Sequence, residues 1–539
     1  SQSQVVLYRV LDPALNPGNF PLFGAECIGV EDLNTDGVPD FAVSDESSAP
    51  GGVVSGTVYF FSGRDGQLLR SIDGPPISGI AYESGFGRHM TQIWDDDGDG
   101  VGDLAVTAHP DNLYPYLGMV FYLSGRTGQI ISQFSSSDPQ EYLGFSLSAP
   151  LRCLGQEVLP VSAPWGINLA GVQSGNIAYL PRGAIQPTAA LFGRTLDEFF
   201  GVALTSLGDT NGNGCDELAV AAYDAAALKL GQAGRIDVFD SLSGQRLYAI
   251  DGWASNFHLG QNIEAVGDIN QDGALDFGVA AEGGYWAIRS GRDGSSIMDS
   301  STSAIRRRTR PKFDSAGGDL DGDGVDDFLI SRTQFGSNPS LDGVAFVSGR
   351  TGEPLGIVRG NDRSDHLGAC VHLIGDTNGD LATDFVIGQP TNISFSATPQ
   401  QVLVVSLQCG IAPIGVGSAE GNSYQPQLFA TTRNCLTQGS DIDLELRFDI
   451  EANRGSRGYI GALLVGSLDT TGTSFPSGGK LYVRNAQTIP FSVLTANQFS
   501  WSTRIPQSAR QGSQLAVQAL FVDDQGRLGS SNALVLTVM

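Results

Sequence analysis

The sequence predicts an all-β protein: a seven-bladed β-propeller followed by a C-terminal β-sandwich. Three observations predict it. An acidic nine-residue stretch recurs along the first three quarters of the chain. Short apolar runs flank each copy at the same offsets. The last repeat is one strand short, and an orphan strand stands at the N-terminus.

The acidic stretches are DLNTDGVPD (32–40), DDDGDGVGD (95–103), DTNGNGCDE (209–217), DINQDGALD (268–276), DLDGDGVDD (319–327) and DTNGDLATD (376–384). Their starts lie 63, 114, 59, 51 and 57 residues apart. The gap of 114 is two periods, and YLGFSLSAPLRCLGQEVLPVSAPW (142–165) fills it, keeping the flanking segments and losing the carboxylates. Seven repeats follow, at the period expected of repeated supersecondary units.

Each repeat opens on an apolar-Gly pair: Phe23-Gly24, Phe86-Gly87, Leu143-Gly144, Phe200-Gly201, Leu259-Gly260 and Leu367-Gly368, with Phe313-Asp314 as the departure in repeat six. A short strand enters the acidic loop and an apolar strand such as FAVSD or LAVAA leaves it. A third strand ends in a tight turn, as in GTVYFFSGRDGQ, and a weaker fourth strand such as LLRSID comes last. Four short strands repeated radially make a propeller blade. Repeat seven ends at QQVLVVSLQCG (400–410) with three strands, and VVLYRVLDP (5–13) is predicted to supply its fourth and close the ring.

After residue 409 the repeat stops. GIAPIGVGSAEGN reads as a linker over 410–423. Residues 424–539 then carry seven or eight alternating β segments, the pattern of a sandwich. The domains are therefore 1–409, the linker, and 424–539.

Composition narrows the partners. The 539 residues hold 31 Lys and Arg against 58 Asp and Glu, a formal net charge of −27. Phosphate binding needs a basic footprint, so nucleic acid is not expected. No apolar stretch reaches the roughly 18 residues of a membrane span. The chain opens SQSQVV without Met, as after removal of a secretion signal. Six cysteines are compatible with three disulfides in an oxidising compartment, or with six core thiols.

The acidic loops carry oxygen-bearing side chains at positions 1, 3, 5 and 9, with Gly usually at 6 for the turn. Position 7 can offer its carbonyl. Hard oxygen ligands at that spacing suit calcium, which accepts six to eight of them in flexible geometry; magnesium demands a strict octahedron. The candidate ligands are Asp32, Asn34, Asp36, Val38 and Asp40 in the first loop and Asp95, Asp97, Asp99, Val101 and Asp103 in the second. Repeat four offers Asp209, Asn211, Asn213, Cys215 and Glu217; repeat five Asp268, Asn270, Asp272, Ala274 and Asp276. Repeat six offers Asp319, Asp321, Asp323, Val325 and Asp327; repeat seven Asp376, Asn378, Asp380, Ala382 and Asp384. About six calcium ions are expected. The loop of repeat four has two formal charges in these positions, and that of repeat seven has Leu381 in place of Gly. Those two are expected to bind most weakly.

The Phe-Gly opening, the acidic loop and the small-residue strand together resemble the FG-GAP repeat of integrin α-subunit propellers and of many secreted bacterial proteins, over residues 1–409. The resemblance implies a seven-bladed propeller whose calcium is structural. The sequence from QLAVQALFVDD onward is similar to C-terminal modules of secreted multidomain bacterial proteins. Alignment of repeats three and four sets Cys153 in the metal-free blade against Cys215 of its neighbour, so a disulfide can staple what calcium does not. Cys27 and Cys370 fall on the first strands of blades one and seven, which closure makes neighbours; Cys409 and Cys435 would tie the propeller exit to the next domain.

No catalytic pattern emerges. His89, His109, His258, His366 and His372 are scattered near repeat openings and strand ends, in neither zinc-ligand nor nucleophile–base spacing. The chain lacks GxSxG, HExxH and a phosphate-cradling loop. One basic strip, RRRTRPK, brings Arg306, Arg307, Arg308, Arg310 and Lys312 together ahead of blade six, as a solvated loop or a contact for an acidic partner. The expectation is a non-enzymatic, secreted or cell-surface adhesion or binding protein, with a protein or glycan as partner. The alternatives are a structural subunit that assembles with copies of itself into a filament or layer, and a lectin-like glycan-binding module.

Overall fold

A computed structural model describes residues 3–13, 22–49, 55–75, 85–109, 118–136, 141–183, 186–226, 231–300, 311–331, 343–359, 366–378, 382–390 and 400–408, and the strands beyond. The first part is a seven-bladed, all-antiparallel β-propeller.

Blade one has the strands Cys27–Val30, Asp40–Asp45, Thr57–Phe61 and Leu68–Asp73. The others repeat this order: the first strands are Met90–Gln92, Leu151–Cys153, Phe200–Ser206, Asn262–Gly267, Lys312–Gly318 and Val371–Gly375. Burial grades across each blade. The second strand of blade one is buried at every position, whereas its fourth, Leu68–Asp73, alternates exposed and half-buried residues. That gradient explains why the second strands read as continuous apolar runs and the fourth as weak ones.

Blade seven is completed by the N-terminus. Ser3–Leu11 pairs antiparallel with Gln401–Gln408, from Ser3 opposite Gln408 to Leu11 opposite Gln401. The closing strand thus begins two residues before the predicted 5–13. Apolar clusters fill each of the seven blade junctions. The junction of blades seven and one gathers Phe41 and Phe61 with Val386, Val402 and, from the closing strand, Val10. First strands of six blades, from Ile28 in blade one to Val371 in blade seven, and the segment 145–149 ahead of the first strand of blade three line one central cavity of about 610 Å³.

The apolar-Gly pair has a packing reason. Phe86 is fully buried. Gly87 has φ +93°, and a Cβ there would lie 2.7 Å from Cβ of Ser44 in blade one. Only glycine takes that φ freely while letting the blades touch.

Blade three lost its loop by shortening it to a two-residue turn. Cys153 pairs with Gln156, and between them Leu154 and Gly155 both have positive φ, +50° and +81°. This is the turn geometry that matches strand twist in hairpins.

Beyond residue 410 the backbone forms two antiparallel sheets. One has the order Ile411–Ile414, Leu528–Thr537, Gln514–Asp523, Tyr459–Ser474, Lys480–Val493, with Ser418–Ala419 also on Leu528–Thr537. The other has Gln427–Ala430, Asp441–Arg447 and Gln498–Arg504. Two of these short strands come from the stretch read as a linker. No helix among the described residues is long and apolar enough to cross a membrane.

Candidate metal centres on one face of the disc

Every acidic loop joins the end of a first strand to the start of a second, so all six emerge on one face. Five of them, in blades one, two, four, five and six, share one hydrogen-bond scheme. The position-1 carboxylate accepts backbone N–H bonds from positions 5 and 6: Asp32 from Asp36 (3.1 Å) and Gly37 (2.7 Å), Asp319 from Asp323 (2.9 Å) and Gly324 (2.9 Å). Position 3 accepts from position 5, as Asp97 does from Asp99 (3.1 Å) and Asn270 from Asp272 (2.9 Å). Position 5 accepts from position 7, as Asp99 does from Val101 (2.9 Å) and Asn213 from Cys215 (2.8 Å). These backbone donors hold the side chains in place and offset part of their mutual repulsion.

Position 9 behaves differently. Asp40, Asp103, Glu217, Asp276, Asp327 and Asp384 are fully buried. One oxygen accepts the N–H of position 2, as in Leu320 to Asp327 at 2.7 Å. In blade six the other accepts from Gly349 in the turn after the third strand, at 2.9 Å. Burial pushes the Asp276 carboxyl up to about 6 and that of Asp327 to about 7, against their backbone hydrogen bonds. A buried carboxylate of that kind gains from a neutralising cation.

Two loops bring three carboxylates together with oxygens all within 4.8 Å of one another: Asp95, Asp97 and Asp99, and Asp319, Asp321 and Asp327. A calcium ion with bonds of about 2.3–2.6 Å can span such a set. In loop seven, Asp384 accepts from Thr377 N at 2.9 Å, while Asp380 lies outside the described residues.

The structure adds groups that the motif did not reveal. The turn after the third strand places an arginine on position 5 of its own blade's loop. Arg64 approaches Asp36 (3.2 Å), Arg126 approaches Asp99 (3.6 Å), Arg292 approaches Asp272 (3.5 Å) and Arg350 approaches Asp323 (2.8 Å). Burial would raise the Asp36 carboxyl, but hydrogen bonds from Arg64, Asn34 and Val38 hold it below its ordinary value. The recurring SGR of SGRDG and SGRTG was the available signal. Blade four has Leu242 there and no arginine, but Asp240 replaces the serine two residues earlier and accepts from Asn213 Nδ2 at 3.2 Å. Loop four therefore has a third carboxylate beside it.

Position 8 links neighbouring blades. Asp326 accepts the N–H of Asp268 from loop five at 2.9 Å, and Asp216 that of Arg152 from the blade-three hairpin at 2.7 Å. Beside the latter, Cys153 and Cys215 form a disulfide, with Cα atoms 3.9 Å apart. Cys27 and Cys370 form another, joining blades one and seven with Cα atoms 5.8 Å apart. Both follow the expected pairings; Cys409 and Cys435 lie outside the described residues.

Of the basic strip only Lys312 is described. It lines the central cavity, where its Nζ donates to the Ala369 carbonyl at 3.2 Å. Arg306, Arg307, Arg308 and Arg310 lie outside the described residues. Among the histidines, His258 is held between Asp224 (2.7 Å) and Glu282 (3.4 Å), and His89 lies 3.9 Å from Glu26. Burial of Glu26 would raise its carboxyl, but the His89 hydrogen bond and the charges of Lys312 and His372 hold it low.

Fold and loops define the class: a seven-bladed propeller with a repeated acidic loop on one face. Compared with known proteins, the chain matches no family model and no curated protein.

Proposed function

We propose that this chain is a non-enzymatic, calcium-stabilised extracellular binding protein of FG-GAP type, whose rigid propeller serves as an interaction scaffold and whose C-terminal sheets pack as a β-sandwich. The observation that carries the reading is the recurrence of one loop geometry in five blades, with the side chains of positions 1, 3 and 5 pinned by backbone N–H groups. Calcium in these loops neutralises carboxylates that are crowded along one face and, at position 9, buried. The position-8 carboxylates tie two pairs of neighbouring blades, so an ion in one loop stiffens more than its own blade. Blade three, which has no such loop, takes a disulfide to the next loop instead.

Two disulfides between neighbouring blades support an oxidising, extracellular setting. The loop carboxylates are engaged with backbone donors and arginines, which favours a structural over a catalytic role. Isothermal titration of chelator-treated protein with calcium tests the reading. Several equivalents of calcium should bind, and a chain that binds none would sink it.

A further inference from the structure

We infer that the face opposite the acidic loops carries a saccharide-binding site, in which an arc of aromatic rings from Phe145 to Tyr223 packs on the apolar face of a sugar whose hydroxyls reach into the mouth of the central cavity. This deepens the reading of the disc as a binding scaffold, and rests on it, by naming the class of ligand.

The rings form a continuous chain. Phe145 lies 5.3 Å from Trp165, Trp165 lies 5.2 Å from Phe199, and Phe199 lies 5.7 Å from Tyr223. Tyr142 joins at 4.6 Å from Trp165. All five are only partly buried. They stand where second strands end and first strands begin, which is the end of the blade away from the acidic loops.

Two of the five rings, Tyr142 and Phe199, stand on backbone held in an unfavourable state. In blades two, three, four, five and seven the residue before the apolar-Gly pair takes a left-handed conformation, with His258 (φ +49°) and His366 (φ +48°) in the last two. Blade two fills that position with Gly85 (φ +62°), the residue it suits. Blades three and four fill it with Tyr142 (φ +53°) and Phe199 (φ +52°). Aromatic residues with a Cβ are rare there, and such outliers collect at ligand sites.

The arc borders a cavity with both polar and apolar lining. Phe145 and Tyr223 both line it, and the other lining residues come from the first strands and the segments just ahead of them, so the arc stands at its rim. Its volume, about 610 Å³, is in the range of small-ligand sites. Gln261 lines it, and its Oε1 is buried with no hydrogen-bond partner among the described residues. Such an acceptor calls for a donor that the described residues do not supply. The charges in the cavity are of both signs, Glu26 beside His89 and Lys312 on a carbonyl, which favours a neutral polyhydroxyl ligand over an ion. Flat rings beside hydrogen-bonding groups match a pyranose, with its C–H face and its rim of hydroxyls.

The test titrates the full chain in calcium with cellotriose, maltotriose, chitotriose and xylotriose, each to about 10 mM, by tryptophan fluorescence and calorimetry. At least one should bind saturably. Gln261→Ala should weaken it about tenfold while melting as the parent does, and Trp165→Ala should weaken it about tenfold in titrations kept well below its own, lower melting temperature. Leu68→Ala, on an outer strand, should leave it unchanged. Failure of all four sugars on a chain that binds calcium and is stabilised by it would overturn this inference and leave the scaffold reading standing. So would parent-like affinity in both variants. Sugar binding by a chain indifferent to calcium would uphold this site and overturn the calcium reading.

Discussion

Arg350 reaches back across blade six to Asp323, donating through Nε to its carboxylate at 2.8 Å and through a terminal nitrogen to its carbonyl at 2.7 Å. A fixed cation therefore braces the fifth position of an acidic loop from outside, as Arg64, Arg126 and Arg292 do in their blades. Both groups remain partly exposed, so the pair itself contributes at most about 1 kcal/mol. Its effect on a divalent ion is repulsive. Arg350→Gln should tighten calcium binding a few-fold at low salt, with the gain vanishing as salt screens it. Titration calorimetry at two ionic strengths reads this, and unchanged affinity at low salt would remove the arginine from the account.

The buried position-9 carboxylates set a pH dependence. Asp276 and Asp327 titrate in the fold at about 6 and about 7, above their ordinary value of 3.8. Between the ordinary and the raised values the folded chain holds more protons than the unfolded one. Without calcium, these two groups therefore lower stability as pH rises through that window. If calcium occupies the loops, it binds the ionised form and reverses the loss. The difference in melting temperature with and without calcium should widen from pH 5 to pH 8, and Asp327→Asn should flatten that rise. A difference independent of pH would contradict it.

The Cys153–Cys215 disulfide stands where blade three has no loop. It closes a separation of 62 residues. Replacing both cysteines with serine should cost about 2–5 kcal/mol, measured by denaturant unfolding in calcium. A cost near zero would mean that the hairpin contacts alone, such as Leu154 N to Gly214 O at 3.1 Å, hold the junction.

Ring closure and blade contact are open to the same kind of test. Gly87→Ala sets a Cβ against Ser44 at a left-handed φ, and should cost about 1–3 kcal/mol. Deleting residues 1–11 uncovers one edge of Gln401–Gln408 and removes Val10 from the cluster around Phe41 and Val402. The truncated chain should melt earlier and associate through the bared edge, as light scattering would record.

Much of the architecture was legible because it is written locally. Each acidic loop, apolar-Gly pair and apolar strand is a short pattern, and seven copies made the period plain. Closure by the N-terminal strand was legible because two incomplete fragments fit one blade. The pairing of Cys27 with Cys370 followed from that closure, and that of Cys153 with Cys215 from the alignment of repeats three and four. What stayed hidden depends on neighbours far apart in sequence. Arg350 lies 27 residues beyond Asp323, and only the turn after the third strand returns it to the loop. Asp326 touches Asp268 because blades five and six stand side by side. The aromatic arc is assembled from three residues of blade three and two of blade four, scattered along the chain with no run of aromatics to announce it. Asp240 was concealed because it ends the third strand of its blade rather than standing in the motif it completes.

The central claim is that calcium in the acidic loops holds the disc together, and thermal unfolding of the full chain with calcium and again with excess EGTA tests it most directly. The account predicts a markedly lower melting temperature in EGTA, restored when calcium is returned. A melting temperature that ignores both additions would contradict it.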